Sequence, residues 1–258
     1  MDIKIVVATH KKTKIPSDDV YIPLEVGRVL RKKAITPYLG DDTGESISER
    51  NGSFCELTAL YWAWKNLPCD YIGLCHYRRY FRKTGRQKGL LSTLKKADYK
   101  ALLIKYDILV PQKRHYYIET VKSHYEHAHN KRDLVIVENI IRNKYPEYMQ
   151  AFAQVMKQRS LYITNMAVMR FDLFSSYCEW LFSILFEAER KIDVSNYDLY
   201  QKRVFGFLAE RLFNVWLTYQ CNVHPNLRVI EVPTVFIGKR NWIKKIGKFL
   251  TRKIGKFL

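Results

Sequence analysis

The sequence predicts an α/β fold built on a largely parallel sheet. Continuous apolar runs rich in β-branched residues, of which 3–8 (IKIVVA) is the first, are typical of strands buried on both faces. Segments with apolar residues at helical spacing follow these runs, and 172–190 is the most strongly amphipathic of them. Alternating strands and helices indicate a sheet whose ligands bind at the carboxyl ends of its strands.

The remaining elements follow in order along the chain. Further strands are predicted at 70–75, 106–110, 161–169 and 228–236. Helices are predicted at 53–66, 133–156, 172–190 and 204–219. The stretch from residue 9 to about residue 52 is polar and punctuated by Pro and Gly, so we expect loops there. Ser53 and Glu56 have the spacing of an N-cap and its capping-box partner at the start of the first helix.

Composition and charge narrow the class of protein. The chain has 258 residues, of which 47% are hydrophobic, enough to bury a core in one large domain or two small ones. Its formal charge is +19, and eight of its Lys and Arg residues lie in 239–258 with no acid beside them. Subtracting those eight charges leaves +11 on the rest of the chain. A basic body favours an anionic partner such as nucleotide phosphates, lipid headgroups or nucleic acid.

Cysteine usage and hydropathy predict a cytoplasmic protein. The five cysteines are scattered without a CxxC pair, which argues against a disulfide framework or a structural zinc site. The first residues lead directly into a strand and lack the layout of a signal peptide. No apolar run approaches the 18 residues that a membrane span requires.

The segment 238–258 is predicted as a basic membrane-binding tail that follows a catalytic body at 1–237. The hexapeptide KIGKFL occurs at 245–250 and again at 253–258, and every charge between its apolar residues is positive. This composition is typical of a helix that lies in a membrane interface. A core helix and a disordered basic tail are the alternatives, although core helices rarely carry charges of one sign. The predicted membrane-facing residues are Trp242, Ile243, Ile246, Phe249, Leu250, Ile254, Phe257 and Leu258.

The segment 70–80 (DYIGLCHYRRY) contains the sharpest local signal for chemistry. A buried strand ends there and is followed at once by His76, Arg78 and Arg79. At the carboxyl end of a parallel strand such donors face the crevice, and the planar fork of Arg suits phosphate oxygens. A basic loop that faces solvent is the alternative interpretation.

Five segments together resemble a known family. They are 6–12 (VVATHKK), 21–27 (YIPLEVG), 40–81 with its ELTALYWAWKN and HYRR blocks, 165–182 (NMAVMRFDLFSSYCEWLF) and 203–217 (RVFGFLAERLFNVWL). In this order they resemble a family of capsular and exopolysaccharide glycosyltransferases that was first catalogued as a domain of unknown function. The resemblance covers about residues 3–236 and leaves out the tail.

The resemblance implies a GT-A-like fold, with a nucleotide-binding α/β half fused to an acceptor-binding half. In such enzymes the first strand leads to the nucleotide, which would bring Ala8, Thr9 and His10 beside the base and ribose. Asn51 and Glu56 become candidate donor contacts. His10 fits a solvated loop equally well, and Glu56 fits its capping role equally well.

The chain departs from the usual GT-A pattern at the position that would bind a metal. Many GT-A enzymes have Asp-x-Asp after the second strand to hold Mn²⁺ or Mg²⁺, whereas this chain has Cys-His-Tyr-Arg at 75–78. A departing nucleoside diphosphate needs positive charge, which fixed cations can supply in place of a metal. We therefore expect no metal cofactor. If Mn²⁺ or Mg²⁺ does bind, the candidate ligands are Asp41, Asp42, Asp107 and Asp133.

Inverting transfer also requires a carboxylate that accepts the proton of the acceptor hydroxyl. Residues 205–211 (FGFLAER) look like the Gly-aromatic turn and acidic helix start that carry this base in GT-A galactosyltransferases. Glu210 is therefore the predicted base, with Asp198 and Asp193 in reserve, while a plain surface charge is the alternative for Glu210.

The predicted activity is transfer of a hexose from a UDP-sugar to a surface-polysaccharide precursor. The resemblance favours galactose, as pyranose or furanose, and an acceptor linked to polyprenyl diphosphate. Asn165 and Arg170 are expected to reach the donor sugar or the acceptor. The tail would hold the enzyme on the inner face of the plasma membrane.

Two other functions fit the composition. A nucleic-acid-binding protein would explain the high isoelectric point and the basic, aromatic stretch at 76–83, although no nucleic-acid-binding motif accompanies them. A non-catalytic scaffold on the membrane surface would explain the tail but would turn over no nucleotide sugar.

Overall fold

The computed structural model describes residues 1–238. The strands of that part are β1 (Ile3–Thr9), β2 (Tyr21–Glu25), β3 (Leu39–Gly40), β4 (Tyr71–His76), β5 (Arg79–Phe81), β6 (Ile108–Pro111), β7 (Arg114–His115), β8 (Ser160–Leu161), β9 (Val168–Arg170), β10 (Val229–Val232) and β11 (Thr234–Phe236). The α-helices are α1 (Asn51–Phe54), α2 (Leu57–Asn66), α3 (Lys96–Leu103), α4 (Val121–Ala128), α5 (Lys131–Lys144), α6 (Met149–Lys157), α7 (Phe171–Glu189) and α8 (Val204–Val223).

One mixed sheet organises the described residues. Its strand order is β10-β6-β9-β4-β1-β2-β3, with β5 paired to β4 and β11 paired to β5. The β1–β2, β1–β4, β2–β3 and β6–β10 pairs are parallel, whereas β9 runs antiparallel to both β4 and β6. The carboxyl ends of β1, β2, β4, β6 and β10 therefore lie along one edge, and β9 begins at that same edge. The predicted α/β fold class is confirmed.

The core lies on both faces of this sheet. In β1 the alternate residues Val6 and Ala8 face a large cluster that includes α2 and α5 to α8, while Ile5 and Val7 face a smaller cluster that includes Tyr99 of α3. Because both faces are covered, β1 is apolar at nearly every position instead of alternating, as expected of a buried parallel strand.

Gly73 allows β9 to lie close against β4. A Cβ atom on Gly73 would stand 2.6 Å from Val168 Cγ2 and 2.8 Å from the backbone oxygen of Ala167. No real Cβ atom tolerates both contacts, so any side chain at this position would push β9 away. The glycine in DYIGL is thus required by the strand pairing.

The helix predicted at 53–66 is two helices. The break lies at Cys55, whose φ of 54° is unusual for a residue with a side chain. Ser53 lies inside α1 and its hydroxyl donates to the backbone oxygen of Arg50 at 3.3 Å, so the capping-box prediction is wrong. Asn51 stabilises the break instead, because its amide donates to the Cys55 backbone oxygen at 2.7 Å.

The strand predicted at 161–169 is also divided. Only its ends are extended, in β8 and β9, while Thr164 and Asn165 between them have φ values of 80° and 51°. Left-handed backbone at two successive residues reverses the chain, which a strand cannot do. The apolar residues of this segment predicted a strand, but nothing in the sequence pattern indicated the turn at Thr164 and Asn165.

Other differences have local causes. The helical stretch predicted at 133–156 ends and restarts at Pro146, which cannot continue a helix. The strand β2 was missed because it contains Pro23, and Pro is uncommon in strands. It is tolerated because β3 pairs only with Leu24 and Glu25, which leaves Pro23 on an edge. The helices α3 and α4 were also missed.

The described chain has no helix that is both long and apolar enough to cross a membrane. The predicted tail at 239–258, with its eight membrane-facing residues, lies outside the described residues.

Replacing Asp133 by Asn is expected to raise the melting temperature at pH 7 by about 2–4 °C. Asp133 is only 2% exposed, and burial raises the pKa of its carboxyl above the ordinary value, against a hydrogen bond from the Tyr197 hydroxyl at 2.7 Å. A carboxyl with a higher pKa in the folded state loses its contribution to stability as the pH rises through that pKa. Asn keeps the acceptor without the charge.

Thermal unfolding at pH 4 and pH 7 tests this expectation, and the gain should shrink at pH 4. Asp172→Asn is the matched control with the opposite sign, because the hydrogen bond from Arg170 lowers the pKa of Asp172. An Asp133→Asn variant that melts below the parent at pH 7 would contradict the argument.

Candidate active site

A cleft of about 560 Å³ opens at the carboxyl edge of the sheet, beside the ends of β1 and β4. It is called the larger cleft here, because a smaller one of about 410 Å³ lies beside β11. The larger cleft brings together seven of the residues that the sequence singled out: Ala8, His10, Asn51, Glu56, His76, Arg78 and Arg79. It also contains residues that the sequence analysis missed: Val26, Gly52, Cys55, Tyr77, Leu199, Arg203 and Phe236. A cleft of this size suits a small ligand.

One wall of the larger cleft is aromatic. The Tyr77 ring meets the His10 ring edge-on at 5.0 Å between centroids, and its hydroxyl lies 3.4 Å from His10 Nε2. Partial burial, followed by the charges of Lys11 and Arg31, lowers the pKa of His10, so its ring is neutral near pH 7. Thr9 does not line the cleft, since it is buried and its hydroxyl donates to the Lys11 backbone oxygen at 2.7 Å.

The larger cleft also has a cationic side, which adjoins the Tyr77 ring. The Arg78 guanidinium lies 5.1 Å from the Tyr77 ring and the Arg79 guanidinium lies 5.9 Å from the Phe236 ring. Arg203, directly before α8, donates through Nε to Cys55 Sγ at 3.2 Å. Three arginines against the one carboxylate of Glu56 make the cleft a site for an anion.

The left-handed turn at Thr164 and Asn165 forms hydrogen bonds with several elements around the larger cleft. His76 Nε2 donates to the Thr164 backbone oxygen at 2.6 Å, and the Thr164 N–H donates to Glu210 Oε1 at 2.7 Å. The Asn165 amide donates to Glu56 Oε1 at 2.8 Å and to the Gly206 backbone oxygen at 3.2 Å. Elements far apart in the chain, β4, α2 and α8, therefore meet at these two residues.

Glu210 lies behind this turn and does not line the larger cleft. Its Oε2 lies 3.1 Å from Nη1 of Arg211, whose side chain is 3% exposed. Burial raises the pKa of Glu210, while the charge of Arg211 and the Thr164 N–H oppose the shift. Both of its oxygens are thus engaged by protein donors, one of them the backbone N–H of the turn.

Glu56 has the position that was expected of Glu210. It is half-buried at the start of α2, it lines the larger cleft, and Asn165 holds only its Oε1. Within the described chain no hydrogen bond engages its Oε2. The charge of Glu56 contributes to the raised pKa of Glu210, so the two carboxylates lie close enough to interact.

The reserve acids and Arg170 do not line the larger cleft, although Asp198 directly precedes Leu199, which does. Asp198 and Asp193 are exposed and accept hydrogen bonds from backbone N–H groups of their own turns, at 2.7–2.8 Å. Arg170 pairs in register with Tyr71, at the start of β4, and bonds to Asp172 at 2.8 Å. Because β9 is antiparallel, its start lies at the cleft and its end at the opposite edge, so Arg170 lies away from the larger cleft. Its expected contact with donor or acceptor stays a prediction.

The candidate metal ligands are dispersed. Asp41 is fully buried and accepts from the Gly27 and Arg28 N–H groups at 2.9 and 3.1 Å and from the Ser48 and Thr58 hydroxyls. Those four donors occupy its oxygens, so it stabilises the 27–58 region instead of binding a cation. Its neighbour Asp42 is exposed and lies outside the cleft.

The other two aspartates are also engaged. Asp107 accepts from the Arg228 backbone N–H at 2.9 Å, and Asp133 accepts from Tyr197. Among residues 1–238 no group of three His, Cys, Asp or Glu side chains is arranged to hold a metal ion.

Cys55 is the strained residue of the larger cleft. A side chain at positive φ costs roughly 1–3 kcal/mol. Burial, followed by the charge of Glu56, raises the pKa of its thiol to about 11, so it is not a thiolate nucleophile at neutral pH. Among the missed residues, Tyr77 lies within the HYRR block and Arg203 opens the 203–217 block, so both were inside recognised segments. Cys55 also lies inside a recognised segment, 40–81, but nothing in the sequence indicated its positive φ, because that conformation is set by contacts.

The sequence model of a family described as a domain of unknown function, DUF4422, matches residues 4–221. The chain belongs to this family. No curated protein sequence matches the chain. Among solved structures it is similar to the apo structure of the bifunctional glycosyltransferase WbbM, with a TM-score of 0.86 and 33% identity. The likeness covers 93% of this chain and 46% of WbbM, so the chain spans about half the length of that protein.

Asp41→Ala is expected to destabilise the protein by about 2–4 kcal/mol, because it leaves buried N–H and hydroxyl donors without an acceptor. Urea unfolding in the presence of EDTA and of Mn²⁺ measures the loss, which the metal should not change. Asp42→Ala, at the exposed neighbour, should stay within about 0.5 kcal/mol of the parent. Stabilisation of the parent by Mn²⁺ that disappears in Asp41→Ala would restore the metal role.

Proposed function

We propose that the protein is a glycosyltransferase that moves a sugar from a nucleoside-diphosphate donor to an acceptor hydroxyl. The observation that carries the proposal is the larger cleft, where three arginines and a carboxylate meet at the carboxyl edge of the sheet. The likeness to WbbM over 93% of the chain supports it, since that protein is described as a bifunctional glycosyltransferase.

The donor diphosphate fits the cationic side of the larger cleft. Arg78 and Arg79 come directly after β4 and can offer paired N–H groups to phosphate oxygens. The rings of Tyr77 and His10 provide flat surfaces for a base at the end of β1. In the proposed complex the phosphates lie on the arginine side of the larger cleft, and the anomeric carbon lies between these cations and Glu56, which lines the same cleft.

Glu56 is the general base of the proposed reaction. The acceptor hydroxyl attacks the anomeric carbon as the bond to the diphosphate breaks, and the hydroxyl proton moves to Glu56 Oε2. The electron pair of the breaking bond leaves with the nucleoside diphosphate, whose added charge Arg78 and Arg79 stabilise. Attack opposite to the leaving group inverts the anomeric configuration. Glu210 acts as a positioning residue that keeps the Thr164–Asn165 turn, and therefore Glu56, in place.

We propose that these fixed cations replace Mn²⁺ or Mg²⁺. The support is chemical: Asp41, Asp107 and Asp133 are engaged by protein donors, Asp42 lies outside the larger cleft, and the side chains next to the expected phosphate position are basic. A divalent ion would have to compete with three arginines for the same phosphate oxygens.

The finer identity of the substrates follows the family resemblance. We propose UDP-galactose, as pyranose or furanose, as the donor and a polyprenyl-diphosphate-linked precursor of a surface polysaccharide as the acceptor. The 239–258 tail, with eight cations and no acid, supports attachment to the anionic inner face of the plasma membrane. Its eight apolar residues would enter the interface.

Arg78→Ala and Arg79→Ala are each expected to weaken UDP binding by about ten- to hundredfold, because each removes a charge-assisted contact of about 1.5–3 kcal/mol. Isothermal titration with UDP measures the change, with EDTA in one arm. Arg170→Ala removes an arginine from the opposite edge of the sheet and should bind UDP like the parent. Unchanged UDP affinity in both cleft variants would overturn the phosphate site, and tighter binding of DNA than of UDP would favour the nucleic-acid function.

Glu56→Gln is expected to lower turnover by about 10²–10⁴ while UDP binding persists, because Gln keeps the acceptor for Asn165 but cannot take a proton. Glu210→Gln leaves the Arg211 charge without its carboxylate, so it should lower the melting temperature and affect turnover less. Release of UDP from a panel of UDP-sugars, with thermal unfolding in parallel, separates the two roles. Near-normal turnover in Glu56→Gln with loss in Glu210→Gln would return the base to Glu210.

A further inference from the structure

A second basic surface lies beside the larger cleft. The chain leaves β5 at Phe81 and returns at Thr93, which forms a bridge with Arg82. The Lys83 N–H donates to the Ser92 backbone oxygen at 2.8 Å and closes the base of the excursion. Residues 84–91 therefore form an excursion from the sheet, here called the 84–91 loop, which is exposed at 84–88 and ends in a short 3₁₀ helix at Gly89–Ser92.

The loop and its base are basic and partly apolar. The segment 82–91 contains Arg82, Lys83, Arg86 and Lys88 and no acidic residue. Lys83 pairs with Asp98 at 2.9 Å, while in the described chain no carboxylate lies within ion-pair distance of the other three cations. Leu91 at the end of the loop is 78% exposed. Cations next to an exposed leucine match the chemistry of a membrane interface.

A smaller cleft of about 410 Å³ separates this loop from β11. Arg82, Lys88 and Ser92 line one side, and Thr234, Phe236 and Gly238 line the other. Basic and hydroxyl side chains around a space of this size suit the phosphate of a lipid headgroup.

The composition of the residues after Gly238 indicates what kind of partner this surface binds. The described residues end at Gly238, in the wall of the smaller cleft, and the next 20 residues carry eight cations, no acid and the apolar residues of the KIGKFL repeats. Their composition continues the charge and the apolar character of the 84–91 loop. A strongly basic segment gains nothing by covering a basic surface, so the shared partner is an anionic one.

We propose that the 84–91 loop and the smaller cleft form a second membrane-contact site, which binds the headgroups of an anionic bilayer next to the attachment point of the tail. Leu91 enters the interface, while Arg86 and Lys88 meet lipid phosphates. This site deepens the proposed membrane attachment and does not depend on the transferase chemistry.

The site also sets the orientation of the enzyme. The β5–β11 pair lies between the two clefts. Arg79 of β5 lines the larger cleft, and Phe236 of β11 lines both clefts. A bilayer against the 84–91 loop would therefore lie beside the mouth of the larger cleft. A tail alone would leave the body free to turn, whereas two contacts hold the cleft where a lipid-linked acceptor can reach it.

Vesicle binding by the full chain tests the proposal. The double variant Arg86→Gln/Lys88→Gln should bind vesicles of phosphatidylglycerol and phosphatidylcholine at least tenfold more weakly than the parent, because each cation near an anionic surface contributes about fivefold. Leu91→Ser should weaken binding less and make it more sensitive to salt. Lys122→Gln/Lys157→Gln is the matched control, since these exposed lysines lie on α4 and α6, away from the loop.

The outcomes separate three ideas. Loss of binding in the loop variant with parent-like binding in the control supports the site, whereas parent-like binding in the loop variant, or no vesicle binding by the parent, overturns it. Phe249→Ser/Phe257→Ser tests the tail independently in the same assay. UDP release by the same preparations tests the transferase activity. A loop variant that keeps vesicle binding but loses affinity for duplex DNA would instead assign the surface to nucleic acid.

Discussion

The antiparallel strand β9, inserted between two strands of the opposite direction, is the constraint on which the rest of the site depends. It fits there because Gly73 of β4 has no side chain. The backbone oxygen of Ala167 and the side chain of Val168 occupy the space that a Cβ atom on residue 73 would need. Since β9 begins at the carboxyl edge, the chain must turn sharply just before it, and Thr164 and Asn165 do so in the left-handed conformation. That turn then presents a carbonyl, an N–H and an amide to three other elements.

The two carboxylates at this turn differ because their surroundings differ. Glu210 is held by a backbone N–H and by a buried arginine, so its charge serves the structure. Glu56 touches the same turn through one oxygen and faces the larger cleft with the rest of its side chain. Its position follows from the break at Cys55, which separates α1 from α2 and directs the start of α2 toward the cleft. Strained residues are common at active sites, where rigid surroundings maintain the strain, and Cys55 directly precedes the proposed base.

The strand pair β5–β11 joins the proposed chemistry to the proposed membrane contact. It extends the sheet beyond β4, carries Arg79 into the larger cleft and forms the wall of the smaller one with Phe236. Because the described residues end at Gly238, which lines the smaller cleft, the basic tail starts within a few residues of both clefts in the sequence. Substrate delivery and attachment would thus share one side of the molecule.

The sequence alone determined the class of fold, the order of the buried strands along the chain, and the basic HYRR block at the end of β4. Apolar runs such as 3–8 and the HYRR block could be recognised because their signal is local and depends on neighbouring residues. The tertiary structure decided the direction of β9, and with it that Asn165 lies at the site and Arg170 does not. It also decided which carboxylate faces the cleft and that Asp41 is buried among donors. Strand direction, positive φ and hydrogen-bond partners arise from contacts between residues far apart in the chain, which no local pattern encodes.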